Sequence, residues 1–110
     1  MGKLKKLRGA KMQETIKIIG TKKFRSRVVK ETAYGIVEDY GEQDNVMTLQ
    51  RVGNNLMIEW VVGDELDYAE IGVYTVGKDV TDCDGVFEMP KEAIELLKEC
   101  GFNTKELEID

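Results

Sequence analysis

The residues with the greatest chemical reach are carboxylates: Asp79-x-x-Asp82-x-Asp84-Gly85, with Glu88 close behind. Hard cations such as calcium are held by several such oxygens at once. On an EF-hand loop with Gly85 in sixth place, Asp82 and Asp84 fall on ligand positions. Val80 then takes the first place and Lys91 the last, which breaks the pattern. The same spacing also suits a solvated loop, with Asp84-Gly85 as a turn and Asp82 bonded to its own backbone. Asp79, Asp82 and Asp84 are therefore the metal candidates, and an acidic loop is the alternative reading of them.

Nucleophiles and bases are scarcer. The chain has no histidine, which removes the His general base, the Ser-His and Cys-His nucleophiles and imidazole metal ligands. Cys83 and Cys100 are its two cysteines, too few for a structural zinc site or a disulfide framework. Cys83 lies among aspartates that keep its thiol protonated, and Cys100 reads as a small core residue. Gly53, Gly63, Gly72 and Gly77 are dispersed and suit turns or bulges, not a phosphate loop. Carboxylate- or lysine-based catalysis survives this inventory in principle, as a divalent-metal enzyme using Asp79, Asp82, Asp84 or Glu88, but no catalytic residue stands out and no cofactor is called for.

Charge is the next feature that bears on function. The net charge is −5 over 110 residues. Residues 1–30 carry eleven Lys/Arg and one acid, and residues 31–110 carry five Lys/Arg and twenty acids. One reading is a basic region for nucleic acid, with Lys5, Lys6, Arg8, Lys22, Lys23, Arg25 and Arg27 as its contacts. Such contacts grip phosphates without reading sequence, and no aromatic residue is interleaved at 1–11 to stack on bases. The other reading is that basic and acidic segments neutralise one another within the fold. The acidic remainder also suits a protein partner, including one built to bind nucleic acid.

These residues need a scaffold, and its most legible part is Val46–Val62. Gly53-Asn54 favours a two-residue hairpin turn. With that tip, Met47, Leu49, Leu56, Ile58 and Trp60 share an apolar face, joined by Arg51. Val46, Thr48, Gln50, Met57, Glu59 and Val61 share a mixed one. A slip of one residue mixes the two sets, so the pattern predicts a sheet covered on one side. Glu70–Val76 reads as a third strand, with Ile71, Val73 and Thr75 one way and Gly72, Tyr74 and Val76 the other. Met57, Val61 and Tyr74 then form a candidate interaction patch on the mixed face.

The remaining elements follow from local signals. Thr15–Ile19 reads as a short strand. Phe24, Val28, Val29, Thr32, Ala33, Ile36, Val37 and Tyr40 recur at helical spacing, which predicts a helix over 28–40. A strand over Phe24–Val29, hairpinned to Thr15–Ile19, is the rival. Residues 77–88 read as an acidic loop. Residues 90–100 predict a helix, with Pro90 at its first position, Ala93, Ile94, Leu97 and Cys100 as its apolar stripe, and Gly101-Phe102 as a Schellman ending. Leu107 and Ile109 suit a short edge strand.

The expected fold is thus α+β: a small antiparallel sheet of three to four strands, with its meander over 46–76, the helix 90–100 on one face and a second helix near 28–40. Residues 1–11 read as a basic tail and 12–110 as one domain. No apolar run approaches the ~20 residues of a membrane span, and no apolar segment follows the basic N-terminus as a secretory signal requires. A cytoplasmic, soluble, non-enzymatic interaction or regulatory protein is the expectation. Its partner would be a protein or a second copy, with nucleic acid or metal as the alternatives.

Overall fold

The structure is a computed structural model, and it describes residues 15–84 and 89–108. Five strands run in chain order through one antiparallel sheet. They are β1 (Ile16–Glu31), β2 (Val37–Val52), β3 (Asn55–Val62), β4 (Asp67–Val76) and β5 (Asp79–Asp84). One helix, α1 (Lys91–Glu99), follows, and a single 3-10 turn occupies Lys105–Glu108. The α+β class and the helix on one face stand as expected.

The β2–β3 hairpin has the register read from its apolar pattern. Val52 opposes Asn55, Arg51 opposes Leu56, Leu49 opposes Ile58 and Met47 opposes Trp60. At the tip only Gly53 takes a positive φ, of 61°. The β4 strand continues the rows, with Leu56 against Val73, Ile58 against Ile71 and Trp60 against Ala69. Because side chains alternate along a strand, each row lies on one face across the whole sheet.

The apolar rows meet α1. Met47, Leu49, Leu56, Ile58, Ile71, Val73 and Val80 form one buried cluster with Ala93, Leu96, Leu97 and Phe102. Trp60 is half-buried against its edge. Pro90 is the N-cap of α1, one place before the position its sequence suggested. The helix ends as a Schellman motif. Gly101 has φ 91°, its N–H reaches the Lys98 carbonyl at 3.0 Å, and the Phe102 N–H reaches the Leu97 carbonyl at 3.0 Å. Glycine is used there because it enters the left-handed region without a Cβ clash. Phe102, carried past that turn, plugs into the core.

The helix end sits close to β1. A Cβ built on Gly20 would lie 2.5 Å from Cys100 Sγ, so glycine at that position lets helix and sheet approach. The β1–β2 register also shifts between Ile18 and Gly20, a bulge that swings β1 relative to its partner.

Five expectations are corrected. Residues 28–40 are not a helix: Val28–Glu31 end β1, Val37–Tyr40 begin β2, and Thr32–Ile36 form the turn between them. Phe24–Val29 is a strand, but it continues Thr15–Ile19 in β1 and pairs with β2. Residues 77–88 are not all loop, because β5 pairs Val73 with Cys83 and Tyr74 with Asp82. The sheet consequently has five strands, not three to four. At the C-terminus Leu107 lies in the 3-10 turn, while Asn103 bridges β5 at Asp79. Ile109 and the tail 1–11 lie outside the described residues.

Candidate interaction surface

The candidate surface is the face of the sheet opposite α1. Its central row crosses all five strands: Ile18, Gln50, Met57, Gly72 and Asp84. The next row is Thr21, Thr48, Glu59 and Glu70, and the one beyond is Lys23, Val46, Val61 and Tyr68. Among the described residues no helix or strand covers these rows. Ile16 and Ile18 are 62% and 64% exposed, and Tyr68 and Tyr74 are each 50% exposed. Met57, Val61 and Tyr74, the patch expected from the sequence, all belong to this face. Ile16, Ile18 and Tyr68 complete it.

The hydrogen bonds of the face concentrate at its acidic side. Glu59 and Glu70 are directly paired across strands, an arrangement in which like charges repel. The Tyr68 hydroxyl lies between them, 2.9 Å from Glu70 Oε2 and 3.1 Å from Glu59 Oε2. Its hydrogen bond to Glu70, then burial, then the bond to Glu59 push the phenol up to about 12. The Tyr74 hydroxyl reaches Asp84 Oδ2 at 3.3 Å, and the charge on Asp84 raises that phenol too. Gln50 is buried at the centre of the face, and no side-chain hydrogen bond of its amide is found among the described residues.

Of the four basic candidates among the described residues, three are paired with acids of the same fold. Arg25 Nη1 pairs with Asp44 Oδ1 at 2.6 Å, and its Nη2 reaches the Glu42 carbonyl at 3.2 Å. Arg27 pairs with Asp39, whose carboxyl is held low by that guanidinium and by the Gly41 N–H. Lys22 points to the helix side, where it meets Glu99 at 2.9 Å and Glu95 at 3.7 Å. The Glu99 hydrogen bond is the main cause of its raised pKa. Lys23 alone of these four has no side-chain partner among the described residues. It borders a shallow cavity of about 410 Å³ beside Arg25, Asp44 and Val46. Lys5, Lys6 and Arg8 lie outside the described residues.

A second exposed element was not foreseen. Arg25–Glu31 and Val37–Asp44 pair only with each other in the ladder and extend past β3 as a two-stranded ribbon. At ~3.3 Å per residue the ribbon is roughly 20 Å long. Val29, Ile36 and Val37 are exposed near its tip, and Tyr34 there is 91% exposed. The base of the ribbon is locked by Asn45, which is fully buried. Asn45 Nδ2 donates to Ser26 Oγ at 2.9 Å and to the Gln43 carbonyl at 3.2 Å, and Oδ1 accepts from Trp60 Nε1 at 2.8 Å. Lys30 Nζ donates to the Leu66 carbonyl at 2.9 Å and ties the ribbon to the β3–β4 turn.

The carboxylates named as metal candidates are engaged separately. Asp79 Oδ1 accepts from Asn103 Nδ2 at 2.9 Å, Asp82 Oδ1 from the Cys83 N–H at 2.8 Å, and Asp84 Oδ2 from Tyr74. Among the described residues no three Cys, Asp or Glu side chains are arranged to hold a metal ion. Glu88 lies outside them. Burial, then Asp82 and Asp84, push the Cys83 thiol up, and burial, then Glu99, does the same to Cys100. No helix among the described residues is long and apolar enough to cross a membrane. No family model, no curated protein and no solved structure matches this chain.

Proposed function

We propose that the protein is a non-enzymatic interaction module whose working surface is the open face of the sheet. The observation that carries this reading is the row structure of that face. Ile16, Ile18, Met57, Val61, Tyr68 and Tyr74 stand on one side of a sheet whose other side is filled by α1. Gln50, Thr48, Glu59 and Glu70 interleave with these residues, and an apolar and aromatic surface mixed with polar groups is a common composition of a docking site. Tyr in particular supplies large contact area with a polar tip.

Nucleic-acid binding is the weaker reading. Arg25, Arg27 and Lys22 each hold an acid of the same chain, so their charge is largely compensated before any phosphate arrives. Metal binding at Asp79, Asp82 and Asp84 has no supporting geometry among the described residues.

A photo-crosslinking residue tests the proposal when placed at Met57 on the open face, with a control at Glu106 beyond the helix. The expected result in native extract is a discrete adduct at position 57 and none at 106. Equal labelling at both positions, or none at either, would rule out a docking role for the face.

A further inference from the structure

We propose that the open face is occupied by a second copy of this chain, packed face to face about a two-fold axis that runs parallel to the strands between β2 and β3. This rests on the reading of the open face as a docking surface and names its occupant. Such an axis lays β1 over the partner's β4, and β2 over the partner's β3. The charges of the face match that operation and not its alternative.

Lys23 stands on β1 in the same row as Tyr68 on β4. The axis therefore brings Lys23 over the partner's Tyr68, one pair of positions from the partner's Glu59 and Glu70. Within one copy Lys23 has no side-chain partner among the described residues. Glu59 and Glu70 face each other as like charges held apart by a phenol. An ammonium group delivered from the opposite sheet supplies what both ends lack. A two-fold axis perpendicular to the strands would instead lay β1 over β1 and β4 over β4, which keeps Lys23 strands away from the partner's Glu59 and Glu70.

The centre of the face is also self-complementary. Gln50 is buried on β2 beside the axis, with no side-chain hydrogen bond among the described residues. A primary amide both donates and accepts. Two Gln50 side chains related by the axis can therefore satisfy each other reciprocally. Val46 lies over the partner's Val61, and Ile18 over the Gly72 position, where no side chain obstructs it. Sheets packed this way stand ~10 Å apart with their strands nearly aligned. Four strands of eight residues give a face of roughly 500 Å² in plan. Side-chain relief raises this toward the ~800 Å² per partner of an ordinary stable interface.

Sedimentation of the full chain tests the proposal. The expected mass at about 100 µM, where an interface of this class is populated, is twice that of one chain. Lys23→Glu should weaken association by roughly 100-fold, because like charges are then juxtaposed across the interface. Adding Glu59→Lys and Glu70→Lys to that variant should restore the dimer. Gln50→Glu should weaken it as well, by setting two carboxylates against each other. Monomer at every concentration would overturn the proposal. So would a dimer indifferent to both Lys23→Glu and Gln50→Glu in a chain whose circular dichroism shows it folded. If the purified chain is monomeric while Met57 still crosslinks to a different protein, the docking face stands and the second copy falls. No adduct at Met57 removes both.

Discussion

Asn45 and Tyr68 show how much a single polar side chain can decide in this sheet. Asn45 uses both amide protons and its carbonyl oxygen, on Ser26, Gln43 and Trp60, at the point where the ribbon leaves the sheet. Asn45→Ala takes that partner from three part-buried groups, so a loss of about 1–3 kcal/mol is expected. Urea denaturation followed by Trp60 fluorescence reads it directly, since the same substitution removes the Asn45 acceptor from the indole N–H. The Tyr68 phenol is pushed up to about 12. A group whose pKa rises on folding adds stability that is whole below its unfolded pKa of ~10 and is lost as pH climbs through the folded value. Denaturation between pH 10 and about 12 should therefore show a drop in the parent that is smaller in Tyr68→Phe. An identical profile in the two chains would refute the bridge to Glu59 and Glu70. Asn45 was unreadable as a core residue before the fold, because a lone Asn beside Asp44 looks like loop.

At the scale of elements, legibility followed burial. The β2–β3 hairpin was readable to the residue because one of its faces is buried, which forces alternation into the sequence. The ribbon was misread for the converse reason. Neither of its faces is covered by the core, so Val28, Val29, Ile36 and Val37 are free of a two-residue period. The register shift between Val28 and Val29 resets what alternation remains. What survived was an accidental helical spacing. Charges opposing a helix dipole and Gly35 inside the segment were the available warnings; Gly35 in fact sits at φ 81° in the turn. The ending of α1 was legible because a Schellman motif places Gly and a following apolar residue at fixed offsets. Its closeness to β1 was not, since Gly20 has no visible partner in sequence. Gly20→Ala puts a methyl group against Cys100 Sγ, and about 1–3 kcal/mol of overpacking is the expected cost. Cys100→Ala in the same chain should recover most of it. A purely additive double variant would contradict the close approach.

On the scale of the molecule, one helix and a five-stranded sheet make up the fold among the described residues, and none of them covers the second face of the sheet. The charge asymmetry of the chain, basic before residue 31 and acidic after it, is partly resolved among the described residues. Of the six cations of β1, Lys22, Arg25 and Arg27 pair with acids of α1 and β2. Lys23 and the Glu59–Tyr68–Glu70 group are left over on the open face, at opposite sides of its central rows. The alternation of β2 and β3 marks this face in the sequence, whereas the fit of any partner lies in three-dimensional complementarity and leaves no period to read.

The most direct test of that account is hydroxyl-radical footprinting of the purified chain across a dilution series. Met57, Tyr68 and Tyr74 lie on the open face, and Tyr34 at the ribbon tip stands clear of it. The expected result is that Met57, Tyr68 and Tyr74 are protected when concentrated and become reactive on dilution, while Tyr34 reacts equally throughout. Reactivity of the three face residues that does not change with concentration would contradict a self-covered face.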